Sequence, residues 1–222
     1  IVAHVRQIPD AIRAKAEAHR RYRRTIPALR GKDIRIAMDE WNYWYGPHIY
    51  GELGVRYHLK DALGIAAGIN EYSRNTDIIA MANYAQTVNV IGCIKTNKTR
   101  AAFATTGLVL KLYRRHFGRI PLVIEGEAEP VDVACAWSED RRSLTISVVN
   151  PLERAVTLRI RLKGAVLRGK GRKWVISHRD PMAYNEPGKE PRVVIREEAA
   201  GPFDGSLSVA PLSVTLFEFG RR

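Results

Sequence analysis

The 222-residue chain carries 36 Lys and Arg against 23 Asp and Glu, a net charge of +13, and 45% of its residues are hydrophobic. With 17 Gly, 11 Pro and two Cys, this composition excludes a collagen-like chain, a disordered tail and a disulfide-stabilised miniprotein. No apolar run reaches the roughly 20 residues that a membrane helix needs. The basic excess is scattered and lacks an aromatic-basic motif, so nucleic-acid binding is only a minor alternative.

The first predicted element is an amphipathic helix, with Pro9 expected in its first turn and Gly31 after its end. Its basic residues fall mostly off the apolar stripe, so we interpret them as a solvated face; contact with an acidic partner subunit is the alternative. The stripe repeats at spacings of three, four and seven and consists of Val5, Ile8, Ile12, His19, Tyr22, Ile26 and Leu29.

Strands and helices then alternate up to residue 118. The patterns predict a strand over 34–40, a helix over about 52–72, a second strand over 78–82 and a helix over 101–117. This order is typical of a parallel α/β arrangement.

The second half, residues 119–222, has a different pattern, that of an all-β domain. Short strands separated by turn signals predict a β-sandwich. In the second of these strands Leu144, Ile146 and Val148 alternate with polar residues, which predicts one buried and one wet face. The predicted strands cover 131–137, 143–149, 156–162, 174–178, 192–195 and 213–219.

The segment from Met38 to His48 is the densest in residues that could carry chemistry. It places two acids, two Trp, two Tyr and a His directly after the first apolar strand. On strict alternation, Glu40 shares a face with Ile36 and should point into the centre of the sheet or barrel, whereas Asp39 points the other way. Aromatic rings around a carboxylate are typical of a site that holds a sugar ring. The alternative is that the Trp residues are core and Glu40 only caps the next segment.

These residues also carry a family resemblance. The run from Asp39 to Tyr45, Asp-Glu-Trp-Asn-x-Trp-Tyr, is similar to the nucleophile segment of α-L-arabinofuranosidases of glycoside hydrolase family 51, at the end of barrel strand seven. Further similar segments follow in order: Arg56 to Ala67 with Leu59, Asp61, Ala62 and Leu63; Asp77 to Val90; Tyr184-Asn185-x-Pro187; and Leu207 to Val214.

The resemblance implies a fold and roles for particular residues. The fold is the last strands and helices of a (β/α)8 barrel over 1–118, followed by a jelly-roll-like β-sandwich over 119–222. Glu40 matches the catalytic nucleophile, Trp44 an aromatic that shapes the sugar pocket, and Gln86 a polar residue beside the bound sugar. Asn42 and Asn83 match supporting positions. From the residues alone, Gln86 is better interpreted as a loop amide bonded to backbone. No cofactor and no metal is implied.

Two features depart from a complete enzyme. Barrel strands one to six are missing, and with them the acid/base glutamate, which the family carries in an Asn-Glu pair after strand four. Asn70-Glu71 and Asn185-Glu186 are such pairs, but the first lies late in a helix and the second in a turn, so neither is assigned this role. His48 and His58, ten residues apart, lack a third ligand and are not expected to bind a metal.

The sequence therefore predicts a subunit or fragment of a retaining exo-glycosidase that releases terminal α-L-arabinofuranosyl residues from arabinan or arabinoxylan oligosaccharides. Activity should require a complementing N-terminal barrel chain or segment, and the absence of an initiating Met suggests a longer product. An endo-β-glucanase or xylanase of the same family and a non-catalytic carbohydrate-binding remnant are the alternatives. We expect an oligomer in the cytoplasm, without a nucleic-acid or membrane partner; the two separated Cys residues fit a reducing compartment.

Overall fold

The computed structural model describes residues 1–45 and 54–221. The helices are α1 (Val2–Thr25), α2 (Leu59–Arg74) and α3 (Thr105–His116), with a 3₁₀ turn at Pro27–Leu29. The strands of the first half are β1 (Ile36–Trp41), β2 (Ile79–Tyr84), β3 (Ile94–Thr96) and β4 (Ala101–Phe103). Those of the second half are β5 (Ile120–Pro121), β6 (Asp132–Trp137), β7 (Ser143–Asn150), β8 (Val156–Arg159), β9 (Leu167–Ser177), β10 (Arg196–Pro202), β11 (Ser206–Val209) and β12 (Ser213–Arg221).

The strands form a parallel pair and a larger antiparallel system. β1 and β2 pair in parallel, as predicted. A six-stranded antiparallel sheet has the order β10-β9-β12-β7-β6-β5, and β8 pairs with β11 in a separate two-stranded sheet. β3 and β4 form a short antiparallel pair. The prediction that the chain mixes helices with strands is confirmed.

The six-stranded sheet separates two hydrophobic cores. On one face, Trp174 and Leu216 join the core built by the three helices. On the other face, Ile146 and Phe217 pack with Leu207 of β11 in a second core. α2 and α3 pack directly on the large sheet, and α1 packs on α2.

α2 is the central helix of the first core. It packs against α1, α3 and the large sheet, so little of its surface is exposed to solvent. A helix that is enclosed on several sides is hydrophobic around most of its circumference. Its fully buried apolar side chains are Leu59, Ala62, Leu63, Ile65 and Ala66. The predicted helix began at about residue 52; residues 46–53 lie outside the described part, and α2 begins at Leu59.

The apolar stripe of α1 is buried only in its first half. Val5, Ile8 and Ile12 pack into the core, but Tyr22 is 47% and Ile26 is 43% exposed. The helix has 24 residues against 16 in α2, so its stripe runs past the end of its packing partner. Because the helix begins at Val2, Pro9 lies inside it, and its expected place in the first turn was wrong.

The prediction that one face of β7 is exposed to solvent was also wrong. Leu144, Ile146 and Val148 are buried as expected, but Ser147 on the opposite face is fully buried too. The helices cover that face, and the Ser147 hydroxyl bonds to Tyr113 of α3. Strand alternation identifies two faces, but it does not show what covers the polar one.

A predicted strand over 192–195 is absent. Val193 is buried there, but its N–H donates to the Asn185 side chain at 3.0 Å, and its carbonyl accepts from the same amide at 2.8 Å. A side chain thus supplies the bonds that a neighbouring strand would make. Pairing with β9 begins only at Arg196.

Candidate active site

The carboxyl ends of β1 and β2 lie side by side, and the pairing there is irregular. The flanking pairs are Met38 with Ala82 and Trp41 with Tyr84. Asp39 and Glu40 of β1 therefore lie opposite the single residue Asn83 of β2, which is a β-bulge. A bulge changes the face to which the following side chains point.

The bulge sets the direction of the Glu40 side chain. Ile36 and Trp41 both pack against the helical core, although strict alternation over five residues would place them on opposite faces. Glu40 precedes Trp41 by one residue, so its side chain leaves the face away from the helices, where it is exposed. The predicted face shared with Ile36 was wrong, because alternation is interrupted between Met38 and Trp41.

Asn83 occupies the matching position on β2. It precedes Tyr84, which packs against the helical core, so the Asn83 side chain also leaves the open face, and it is exposed there. The open face thus presents a carboxylate and an amide at neighbouring strand ends. Both are available to a ligand.

The Asn42 side chain joins three segments at this edge. Its Nδ2 lies 2.8 Å from the carbonyls of both Ala85 and Ile91 and 2.6 Å from the Tyr57 hydroxyl, and its Oδ1 accepts from the Tyr43 N–H at 2.7 Å. With these bonds made within the protein, Asn42 fixes the end of β1 against the segment that follows β2.

Trp44 lies between two anchored tyrosines. The rings of Tyr43 and Tyr45 are parallel, with 6.2 Å between centroids, so both side chains leave the same side of the chain. The Tyr43 ring stacks on His4 of α1 at 4.4 Å. Trp44 itself is 66% exposed.

Gln86 directly follows Ala85, whose carbonyl Asn42 binds. Its side chain is exposed, and its Nε2 donates to the Val88 carbonyl at 3.3 Å. Gln86 therefore lies at the same edge of the sheet as Glu40 and Asn83. In this structure its amide makes the loop contact expected from the residues alone.

Asp61 is a residue that sequence reasoning missed. It is fully buried at the start of α2, where Oδ1 accepts from Tyr45 at 2.5 Å and lies 2.8 Å from His4 Nε2. Its Oδ2 accepts from the His58 backbone N–H at 2.7 Å. Burial would raise the pKa of Asp61, but the hydrogen bonds from His4, His58 and Tyr45 outweigh it and lower the pKa to about 2. Its place in the Leu-x-Asp-Ala-Leu motif was the available signal.

Both Asn-Glu pairs are engaged elsewhere in the fold. Glu71 is buried and bonded to Arg13 at 3.0 Å and to Arg74. Burial would raise its pKa, but the hydrogen bond from Arg13 and the charge of Arg74 hold it below the ordinary value. Glu186 pairs with Arg56 at 3.0 Å and with Lys189 at 2.6 Å. Neither glutamate is placed at the carboxyl ends of β1 and β2.

Neither a metal-ion cluster nor a membrane-spanning helix occurs in the part of the chain that the structure describes. Within residues 1–45 and 54–221, no group of three or more His, Cys, Asp or Glu side chains is arranged to hold a metal ion. His48, one of the two histidines considered above, lies outside those residues. In the same part of the chain, no helix combines the length and apolar character needed to cross a membrane.

The family follows from the span of sequence that carries this site. The family model described as the α-L-arabinofuranosidase C-terminal domain matches residues 39–213. The chain belongs to this family. The match begins one residue before Glu40 and includes every candidate site residue named above. The resemblance to the C-terminal part of family 51 arabinofuranosidases is confirmed.

Relatives with the family's activity in their names are similar over most of this chain. It is 28% identical over 190 residues to a probable α-L-arabinofuranosidase C of Aspergillus flavus, which covers 76% of this chain and 37% of the relative. It is also 28% identical over 182 residues to intracellular exo-α-(1→5)-L-arabinofuranosidase 1 of Bacillus subtilis, covering 72% of this chain and 36% of the relative. The chain thus spans little more than a third of these relatives.

A solved structure shows the same fold at greater coverage. The arabinose complex of the α-L-arabinofuranosidase from Thermotoga maritima matches with a TM-score of 0.81 and 24% identity. The match covers 96% of this chain and 49% of that chain. The likeness shows that the fold is shared over nearly the whole of this chain.

Proposed function

We propose that this chain supplies the nucleophile of a retaining exo-α-L-arabinofuranosidase, and that the nucleophile is Glu40. The observation that carries the proposal is the β-bulge opposite Asn83, which turns Glu40 away from the helices onto an open face. The exposed ring of Trp44 lies four residues further along the chain. A carboxylate next to an aromatic surface suits a furanose, whose apolar face can stack on the ring.

The proposed reaction has two displacements. A Glu40 carboxylate oxygen attacks the anomeric carbon and forms a glycosyl ester, while the bond to the leaving oxygen breaks and that oxygen takes a proton from a carboxylic acid. The resulting carboxylate then removes a proton from water, which attacks the anomeric carbon and releases arabinose and free Glu40. The configuration at the anomeric carbon is retained.

The acid/base carboxyl of this scheme is assigned to the N-terminal barrel portion. Retaining hydrolysis needs two carboxyl groups about 5–5.5 Å apart. Asp39 precedes Glu40 directly in the bulge, and its resemblance to the family gives it no such role. Glu71 and Glu186 are held in ion pairs away from the strand ends.

We assign β1 and β2 as the seventh and eighth strands of a (β/α)8 barrel over residues 1–118, with a β-sandwich over 119–222. The described part of the chain pairs β1 and β2 only with each other, so each strand has an edge with free backbone groups. Such edges are covered in folded proteins. A complementing N-terminal chain or segment, corresponding to the remaining length of the relatives, would cover both edges.

The proposed substrates are arabinan or arabinoxylan oligosaccharides with terminal α-L-arabinofuranosyl groups, and no cofactor takes part. The name of the Bacillus subtilis relative supports both an exo mode of action and an intracellular location. We extend both to this chain, as a cytoplasmic enzyme that forms an oligomer.

Replacing Glu40 tests the proposal in the completed enzyme. Glu40→Ala should lower hydrolysis of an aryl arabinofuranoside by on the order of a thousandfold or more, because the glycosyl ester cannot form. Azide should restore part of the activity as an external nucleophile and yield a glycosyl azide. Asp39→Ala is the matched control, since Asp39 is an exposed acid in the same bulge.

The same assay separates the alternatives. Unchanged turnover in Glu40→Ala would remove this residue from the mechanism. A wild-type enzyme that cleaves internal bonds of a glucan or xylan but not the aryl arabinofuranoside would favour the endo-acting alternative. Binding without turnover in the completed protein would favour a carbohydrate-binding remnant.

A further inference from the structure

The small sheet of β8 and β11 has one buried face and one polar face. Leu158 of β8 and Leu207 of β11 pack in the second core. Because that core and the helices lie on opposite faces of the large sheet, the outer face of the small sheet belongs to the side of the molecule away from the helices. The exposed side chains of this face are those of Thr157, Arg159, Ser206 and Ser208.

A cleft opens at one end of the small sheet, where β8 ends and β11 begins. Its volume is about 320 Å³, at the lower end of the roughly 300–1,000 Å³ that small-ligand sites span. The Ile160 N–H donates to the Gly205 carbonyl at 2.8 Å and joins the two backbones there. The side chains that line the cleft include Arg159, Arg161, Asp204 and Ser206.

The two arginines of the cleft carry charge that the described chain does not neutralise. Arg159 and Arg161 are both exposed, and neither forms an ion pair with a residue in 1–45 or 54–221. Lys163, the next basic residue along the chain, is by contrast paired with Glu125 at 2.5 Å. Asp204 in the cleft accepts from the Ser206 backbone N–H at 2.8 Å and pairs with neither arginine. The cleft therefore presents two guanidinium groups to an anionic ligand.

The groups in the cleft suit a carboxylate on a sugar better than a phosphate. A planar guanidinium matches a carboxylate with two parallel hydrogen bonds. Asp204 adds a negative charge to the same cleft, which repels a doubly charged phosphate. A carboxylate can also accept hydrogen bonds from sugar hydroxyls. A ligand that combines carboxylates with neutral hydroxyls fits this mixture of groups.

We propose that this cleft binds the uronic-acid residues of an acidic oligosaccharide, with Arg159 and Arg161 on the carboxylates and Asp204 on the hydroxyls. The cleft shares no lining residue with the candidate active site, so the proposal goes beyond the proposed function and does not depend on the nucleophile. In an enzyme that acts on arabinose-containing oligosaccharides, this site would favour those that also carry uronic acids.

Calorimetric titration of the full chain with a galacturonic acid trimer tests the site. The wild type should bind this trimer at least about tenfold more tightly than a galactose trimer of the same linkage, because only the first carries carboxylates. Arg159→Ala and Arg161→Ala should each weaken the binding by about tenfold. Both side chains are exposed, so their replacement leaves the second core intact.

The matched control is Arg154→Ala. Arg154 is an exposed arginine just before β8 that does not line the cleft, and its replacement removes the same charge. Its effect on binding should be less than about twofold, since screening by salt weakens a charge that does not contact the ligand. Arg159→Lys keeps the charge but loses the planar fork, so it should still weaken the binding several-fold.

The outcomes separate the proposal from a general attraction to anions. Equal affinity for the two trimers, or unchanged affinity in Arg159→Ala, would overturn it. An equal loss in Arg154→Ala and Arg159→Ala would also overturn it, as would tighter binding of inorganic phosphate or short single-stranded DNA than of the acidic trimer. The titration involves no turnover, so its result is independent of whether the completed enzyme hydrolyses arabinofuranosides.

Discussion

Asp61 illustrates how contacts decide the charge state of a single buried residue. A fully buried carboxylate loses the solvation that stabilises its charge. Asp61 nevertheless stays ionised because His4, Tyr45 and the His58 backbone all contact its two oxygens. The folded state therefore binds a proton at this site less readily than the unfolded chain does.

This difference predicts a pH-dependent contribution of Asp61 to stability. The pKa falls from the ordinary value of 3.8 to about 2 on folding, so the contribution is present above about pH 4 and is lost as the pH falls towards about 2. Its size is about 2 kcal/mol. Urea unfolding of wild type and Asp61→Asn should give a gap in unfolding free energy that is larger at pH 6 than at pH 3.

The control for this prediction is Asp39→Asn, which alters an exposed carboxylate. The unfolding free energies of Asp39→Asn and the wild type should differ little at either pH. A gap for Asp61→Asn of equal size at pH 6 and pH 3 would show that the Asp61 contacts do not favour its charged form.

Local residue patterns predicted the candidate site better than they predicted its geometry. The acid and aromatic residues after the first strand were visible in the sequence, and they lie together at the carboxyl end of β1. The face of Glu40 was not predictable, because the bulge exists only in the pairing with Asn83, 43 residues later. The partners of Tyr43 and Tyr45, His4 and Asp61, also lie far away in the sequence, at 39 and 16 residues.

At the scale of elements, α2 depends on small residues for close packing. A Cβ on Gly64 would lie 1.8 Å from the Tyr43 hydroxyl oxygen, and one on Gly68 would lie 2.6 Å from Ile8 Cγ2. These two glycines, one turn apart, let Tyr43 and α1 approach the backbone of α2.

Gly64→Ala should therefore destabilise the fold by about 1–3 kcal/mol, as overpacking does. A Gly-to-Ala change inside a helix ordinarily stabilises it by about 0.5–1 kcal/mol, so the sign itself is diagnostic. Thermal or urea unfolding measures the change. Gly201→Ala is the control, because a Cβ there meets no atom within 4 Å; stabilisation by Gly64→Ala would contradict the packing described.

The uneven burial of α1 gives a second prediction at this scale. Ile12 is 3% exposed and Ile26 is 43% exposed, although both belong to the predicted apolar stripe. In this chain Ile12→Ala should cost about 2–5 kcal/mol of unfolding free energy. Ile26→Ala should change the unfolding free energy by no more than about 0.5 kcal/mol. Equal losses for the two variants would show that the whole stripe is packed.

The hydrophobic periodicity of the sequence predicted most helices and strands, but it did not predict which elements pack against each other. β7 was predicted closely, yet the helices that cover its polar face come from distant sequence. The segment 192–195 has the composition of a strand, but Asn185 satisfies the backbone of Val193 there. Whether a backbone group bonds to a neighbouring strand or to a side chain is decided by the tertiary structure. The local sequence pattern does not show it.

At the scale of the whole molecule, the helical core joins the two halves of the chain, whereas the parallel strand pair has open edges. The helical core includes side chains from both sides of the predicted boundary at residue 118, such as Leu112 of α3 and Trp174 of β9. The two halves therefore support each other. The parallel pair of β1 and β2, by contrast, has open edges in the described chain. The proposed barrel would place further strands on these edges and a second carboxyl group across from Glu40.

The most direct test of the central claim is to trap the covalent intermediate. The completed enzyme is treated with a 2-fluoro-arabinofuranosyl donor, whose fluorine slows hydrolysis of the glycosyl ester, and is then digested for peptide mass spectrometry. We predict one added fluoro-arabinosyl group on Glu40, absent in Glu40→Gln. A label on a different carboxylate, or one that persists in Glu40→Gln, would contradict the assignment.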